Sequence, residues 1–266
     1  MSESMSRRQV LASVAPVVLL AGRLAAQPPT EQAASPKPDG SPDFFPFQDP
    51  KMVKEIVGAS HRDVDRVKAL LKEAPRLANA VYDWGYGDWE TALGAASHTG
   101  RRNIAAVLLE HGARADIFAL AMLGNLEAVK GMVAAHPGIQ RVKGPHGITL
   151  LKHALAGGDQ SAAVAEYLTA LGDADVAYKD LPLTQEERDA CVGEYSFGPR
   201  SDQRILIQVN KNQGRLVIQR VNGNAQNLFH QGGKVFHPPG SPETRVEVGN
   251  GVVKVVGSGV EVVGRK

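Results

Sequence analysis

From Lys51 to Asp175 the apolar residues recur at spacings of three and four, the period of one helix face. Within this region the chain repeats itself. Gly100 to Leu109 (GRRNIAAVLL) aligns without gaps with Arg62 to Leu71 (RDVDRVKALL) and with Gly124 to Val133 (GNLEAVKGMV). Thr149 to Asp175 follows the same frame with a small insertion after Gly157-Gly158. Repetition on this scale marks helical units that cannot bury their apolar faces singly and must stack. The pattern predicts about four helical pairs. The interval from Arg62 to Gly100 is 38 residues and that from Gly100 to Gly124 is 24, so the stack is irregular.

After a polar stretch the texture changes. Residues 192–266 alternate apolar and polar in short runs, among them Arg204 to Val209, Arg215 to Val221, Thr244 to Val248 and Val252 to Val256. Asn222-Gly223 and Gly249-Asn250-Gly251 stand between such runs, where tight hairpins need positive φ. About seven antiparallel strands are expected, closed into a small sandwich or barrel.

Thr91 to Asp116, TALGAASHTGRRNIAAVLLEHGARAD, resembles the ankyrin repeat. Thr91 stands where that family opens its first helix, and Ala95-Ala96 form the small packing surface. Gly100 ends the helix, Ile104, Val107, Leu108 and Leu109 give the second helix its stripe, and Gly112-Ala113 close it. The usual Pro and His of the family's opening tetrapeptide are missing, since Thr91-Ala92-Leu93-Gly94 and Thr149-Leu150-Leu151-Lys152 occupy those places. The resemblance covers about Lys54 to Asp175. It implies an irregular ankyrin-like array that binds another protein through its concave face and loops, without chemistry of its own.

The fold class is therefore α+β, with residues 51–177 as the repeat domain, 178–191 as a hinge and 192–266 as the β domain. Two segments precede them. Residues 1–26 carry Arg7-Arg8, an apolar run from Val10 to Gly22 and small residues at Ala25-Ala26, the layout of a secretory signal. Ser6 to Leu11 resembles the twin-arginine export motif, with Val10 at the aromatic position, which places the mature protein in the periplasm or outside the cell. Residues 27–50 are rich in Pro and Ser and read as a disordered linker, with Phe44, Phe45 and Phe47 expected to cap the first repeat.

Charge and cysteine content narrow the chemistry. The formal net charge is +2, all of it supplied by residues 1–26, so the mature chain is neutral and lacks the electrostatic footprint of a nucleic-acid binder. A single cysteine, Cys191, allows neither an internal disulfide nor a thiolate cluster. No phosphate loop, nucleophile elbow, His-Glu-x-x-His helix or calcium loop occurs. His98, His146 and His153 belong to repeats that stack near one another, with Asp83, Asp88 and Glu90 close to the first of them. No histidine pair has the helical i, i+4 ligand spacing, so neither metal nor cofactor is expected, nor a membrane anchor once the signal is removed.

The aromatic loop from Tyr82 to Trp89 holds both tryptophans and two of the five tyrosines. Projecting from the array, it would make an interface hot spot, while folded inward it would plug the long junction between the first two repeats. The expected partner-binding set is Tyr82, Trp84, Tyr86, Trp89, His98, Arg101, His146 and His153. The alternative, an enzyme or small-ligand binder, places a site in the β domain or between the domains, with His230, His237 and Arg245 converging in one pocket.

Overall fold

The structure is a computed structural model that describes residues 47–266, apart from 201, 202, 212, 213, 222 and 258. The predicted export segment lies outside the described residues, as does all but the end of the linker. Of the three linker phenylalanines only Phe47 is described, and at 75% exposure it caps nothing.

Eight helices form four consecutive pairs: α1 (Pro50–Ala59) with α2 (Val64–Glu73), α3 (Ala92–His98) with α4 (Arg102–Glu110), α5 (Ile117–Met122) with α6 (Leu126–Ala135), and α7 (Leu150–Ala156) with α8 (Ala162–Leu171). Their starts are set by short polar side chains that accept an otherwise orphaned backbone N–H. Asp63 takes that of Arg66, Thr91 that of Gly94, Asp116 that of Ala119 and Asn125 that of Ala128. Packing sets the turn between α3 and α4. Gly100 has φ +67°, and a Cβ there would collide with the carbonyl of Ala156 at the end of α7. Arg102 then clamps the stack by donating to the carbonyls of Met122, Leu123 and Gly157. Two apolar clusters fill the array, one around Leu70, Leu93 and Leu108, the other around Leu150, Val164 and Leu168.

The C-terminal part is a nearly closed antiparallel barrel. Its strands are β3 (Gly193–Ser196), β4 (Arg204–Val209), β5 (Leu216–Arg220), β6 (Ala225–Asn227), β7 (Phe229–Gly232), β8 (Val235–His237), β9 (Arg245–Gly249), β10 (Val252–Gly257) and β11 (Val260–Arg265). The spatial order is β6-β5-β4-β3-β11-β10-β9-β8-β7, with only Leu228 between the two end strands. Nine strands replace the expected seven, because β6, β7 and β8 are too short for alternation to be seen. Tyr195, Ile207, Ile218, Phe236 and Val246 fill the interior.

Residues 178–191, expected as a hinge, are a strap. Asp180 accepts the backbone N–H of His230 and pairs with Arg215, and the Leu181 N–H donates to the His230 carbonyl. Helix α9 (Gln185–Cys191) opens with a reciprocal Thr184–Glu187 cap and delivers Cys191 into the barrel core.

Array and barrel are not separate bodies. Between α2 and α3 the chain makes a two-stranded hairpin, β1 (Val81–Asp83) and β2 (Trp89–Thr91), whose tip residues Gly85, Tyr86 and Gly87 all have positive φ. Tyr86 packs against the barrel core. Gly240, from the loop after β8, lies so close to the Asp88 backbone that no Cβ would fit. Tyr178 donates its hydroxyl to the Pro239 carbonyl at 2.6 Å and leaves no space beside Gly147. The expected boundary at residue 177 is thus crossed by packed contacts, and Phe44–Lys266 forms one compact unit.

The seat of Tyr86 gives a measurable consequence. Tyr86→Ala lowers unfolding free energy by about 2 kcal/mol through lost apolar burial, whereas Tyr86→Phe stays within about 0.5 kcal/mol. Urea unfolding followed by circular dichroism checks both, and an alanine variant as stable as the parent would mean that the tip does not hold the barrel.

Candidate metal centre

Four side chains from four parts of the array meet at the base of this hairpin: His61, Glu90, His98 and His146. One donor atom from each lies within 4.8 Å of the others. The turn between α1 and α2 carries His61, and its Nδ1–H points at the carbonyls of Val57 and Gly58, both at 3.1 Å. That bond leaves the Nε2 lone pair aimed inward. Arg101 steadies the same turn by donating to the His61 carbonyl at 3.1 Å. Glu90, on β2, is fully buried, and its Oε2 accepts the indole N–H of Trp84 at 2.6 Å. Its other oxygen, Oε1, faces the imidazoles. His98 ends α3.

His146 lies in a tight turn, Pro145–Gly147, at φ 59°. Asp88, only 2% exposed, holds this conformation with both oxygens: Oδ1 accepts the His146 backbone N–H and Oδ2 its Nδ1–H, each at 2.7 Å. The His146 Nε2 is thereby turned toward Glu90.

The spacings fit a coordination sphere. Glu90 Oε1 is 2.8 Å from His98 Nε2, 3.4 Å from His146 Nε2 and 3.5 Å from His61 Nε2, and the His61 and His98 nitrogens are 3.2 Å apart. Bonds of about 2.0 to 2.2 Å in a tetrahedron put neighbouring donors roughly 3.3 to 3.6 Å apart. Three imidazoles and one carboxylate are borderline donors suited to zinc and its first-row neighbours. The carboxylate behind His146 and the carbonyls behind His61 are the outer partners that fix ring orientation and basicity in metal-bound histidines.

Electrostatics point the same way. Asp88 and Glu90 are both buried, and among the described residues their ion pairs are with histidines alone. Burial pushes the Glu90 carboxyl upward, but hydrogen bonds from His146 and His98 and the charge of His146 and His61 outweigh it and hold the group at about 2. Burial likewise works against protonation of His146, yet Asp88 and Glu90 raise it to about 10. His61 is lowered, chiefly by burial, with Glu90 opposing. Two anions thus share a protonated imidazole where a dication would serve both.

The expected partner-binding residues divide accordingly. His98 and His146 enter the centre, Arg101 and Trp84 support it, and Tyr82 packs edge-on against Trp84 at 4.7 Å. Trp89 is 62% exposed. Tyr86 is seated on the barrel, and His153 is fully buried, so neither offers a surface to a partner. His153 donates from Nδ1 to Ser97 Oγ at 2.8 Å, since that hydroxyl already donates to the Phe118 carbonyl. Among the described residues its Nε2 has no hydrogen-bond partner, and it lies beneath Gly144 and the Phe118 ring.

The alternative trio does not converge. His230 stacks near Phe236 and His237 near Phe229, on opposite faces of the β7–β8 ribbon, while Arg245 pairs with Glu247 at 2.6 Å on the outside. His61, 29 residues from Glu90 and 37 from His98, was not among the residues the sequence brought together. The legible signals were His98 and His146 in stacked repeats and the carboxylates of Asp88 and Glu90 close to the first of them.

No protein-family model matches the chain, and no curated protein matches it.

His153 supplies a pH test. Burial, with the charge of His98, depresses it to about 3, below the 6.5 of an exposed imidazole. A base depressed in the folded state stabilises fully above pH 6.5 and loses that contribution as pH falls from 6.5 toward 3. Below pH 6 the parent therefore loses stability more steeply than His153→Phe, by up to about 1.4 kcal/mol per pH unit. Urea midpoints at pH 7, 6 and 5 in chelator check this, and parallel curves would contradict it.

Proposed function

We propose that this protein binds one first-row transition-metal ion, zinc above all, through His61 Nε2, Glu90 Oε1, His98 Nε2 and His146 Nε2. The convergence of these four donors, two of the three rings already oriented from behind, carries the reading. Binding releases the protons shared between the imidazoles and Glu90. The ion ties the turn between α1 and α2, the hairpin, the end of α3 and the Pro145–Gly147 turn into one point. The helical pairs are taken as an ankyrin-type array and residues 1–26 as its export signal, which would place the centre in the periplasm or outside the cell.

Titration of metal-free protein with zinc should give one ion per chain by calorimetry, and cobalt(II) should produce the visible bands of a four-coordinate site. Zinc at a hundredfold excess over its dissociation constant raises stability by about 2.7 kcal/mol. Asp88→Asn, which touches no ion, should weaken binding roughly 10- to 100-fold, and His98→Ala more than that. Absence of both stoichiometric zinc and zinc-induced stabilisation would refute the assignment.

Partner binding stays as a second reading because of one observation. Trp89 is exposed beside Val260 and Val262, which are 58% and 41% exposed, and the three border a hollow of about 460 Å³. Clustered exposed apolar side chains of this kind mark interaction surfaces. Trp89→Ala should leave stability within about 0.5 kcal/mol yet weaken partner binding by about 2 kcal/mol. Thermal melts, with crosslinking of parent and variant in envelope extract, measure the two effects. Trp84→Ala, by contrast, should destabilise the fold.

A further inference from the structure

Strand β11 carries an edge that the rest of the barrel does not use. It pairs with β10 over six consecutive residues without a bulge, from Val260 against Gly257 to Arg265 against Val252. Its neighbour on the other side is β3, and there the register holds a single pair, Arg265 against Ser196. Since β3 ends at Ser196, the antiparallel run carries Val260 to Gly264 past the end of that neighbour.

The parity of the ladder identifies the main-chain groups left over. The Lys266 N–H donates to the Gly251 carbonyl at 2.9 Å, so the even-numbered residues of β11 turn their N–H and C=O toward β10 and the odd-numbered ones turn theirs away. Arg265 meets Ser196. Glu261 and Val263 remain, and among the described residues no backbone partner lies opposite them on that side. Open edges are ordinarily blunted by proline, a bulge or an unpaired charge. Neither proline nor bulge interrupts β11, and Val260, Val262 and Val263 are exposed. The one carboxylate among them, Glu261, is neutralised within its own sheet by Lys254 at 2.9 Å. An edge of this kind is completed by another extended strand.

The strand that fits is its own copy. The unopposed stretch, 260–264, has Val262 at its midpoint. Antiparallel pairing about a twofold axis through Val262 sets Glu261 of each copy against Val263 of the other, which satisfies both leftover residues and keeps the two carboxylates apart. A twofold at Glu261 would oppose like charges, and one at Val263 would call on Arg265, already paired with Ser196. Because both copies use the same surface, the contact closes at two chains.

We infer that the chain forms a symmetric dimer by antiparallel pairing of β11 with β11 of a second copy, Val262 facing Val262 across the axis. This gives the partner reading of the surface around Trp89, Val260 and Val262 its occupant and rests on that reading; it takes nothing from the metal centre.

Sedimentation velocity of the full chain at concentrations up to about 0.1 mM should show the dimer. Val263→Pro removes an N–H that only the dimer uses, at an edge position where proline is tolerated. It should raise the dissociation constant at least about tenfold and leave the melting temperature unchanged. Val262→Lys and Val262→Asp each set like charges against one another and should give monomers, while their mixture should re-form the dimer, which misfolded variants could not do. Cysteine crosslinking reads the register. Facing residues in a pair without hydrogen bonds have Cα atoms about 4.5 Å apart, within the span of a disulfide, and the native Cys191 is buried. Val262→Cys should therefore crosslink to its copy under mild oxidation, and Val260→Cys, placed opposite Gly264, should not. A chain that stays monomeric, a dimer indifferent to all three charge and proline variants, or equal crosslinking at 260 and 262 would overturn the inference. If the chain is monomeric but Trp89→Ala still lowers crosslinking to another protein in envelope extract, the partner reading stands and only its occupant is wrong; loss of both refutes the two together.

Discussion

Burial of two carboxylates two residues apart, Asp88 just before β2 and Glu90 within it, is the constraint from which much of the architecture follows. Asp88 and Glu90 are removed from water, and an unpaired buried charge is too costly to keep. Each must find a cation or several donors, and the array provides them from a distance. His61 comes from the preceding helical pair, His98 from the helix that follows, and His146 from a turn more than fifty residues on. Breaking any one of these contacts leaves a charge stranded, so the hairpin, the α1–α2 turn and the Pro145–Gly147 turn are held as a unit. The barrel belongs to the same arrangement, because Gly240 presses on the backbone of Asp88 and Pro239 closes over Gly147.

The irregular helical spacing has a physical reason in this geometry. Thirty-eight residues separate equivalent points of the first two pairs because the hairpin is inserted there. Its base must reach the imidazoles while its tip reaches the barrel, and three consecutive positive φ values at Gly85, Tyr86 and Gly87 fold the tip back sharply enough to do both. At Tyr86 that conformation is strained for a residue with a side chain, and strain of this kind persists where surrounding packing over-determines it. The ring in the barrel mouth is that packing.

Helices and long strands were legible in the sequence because their signals are local. Asp63, Thr91, Asp116 and Asn125 announce helix starts, and the alternation of Arg204 to Val209 announces β4. The short strands β6 to β8 and the strap from Tyr178 to Cys191 were not legible, since strands of three or four residues carry too little period and the strap's order comes from partners fifty residues away, such as His230. The candidate metal centre was hidden for the same reason. Ligand spacing rules detect histidines on one helix, whereas these four donors lie on a turn, a strand, a helix end and a second turn. The aromatic loop was recognised as important, but its two tryptophans part company: in a strand pair, side-chain direction depends on a register that only the folded hairpin reveals.

That divergence leaves Trp84 as the side chain that orients the central carboxylate of the candidate metal centre. Its indole N–H fixes Glu90 Oε2 at 2.6 Å, which leaves Oε1 free to face the imidazoles, while its ring lines a hollow of about 730 Å³ shared with barrel residues. Glu90 cannot rotate without breaking that hydrogen bond, and the indole cannot tilt without disturbing Tyr82 and the carboxylate together. An ion held at Oε1 would therefore rest on a carboxylate whose other oxygen is already committed to the indole. The central carboxylate is thus oriented from its far side before any ion arrives, as outer partners orient the ligands of a metal.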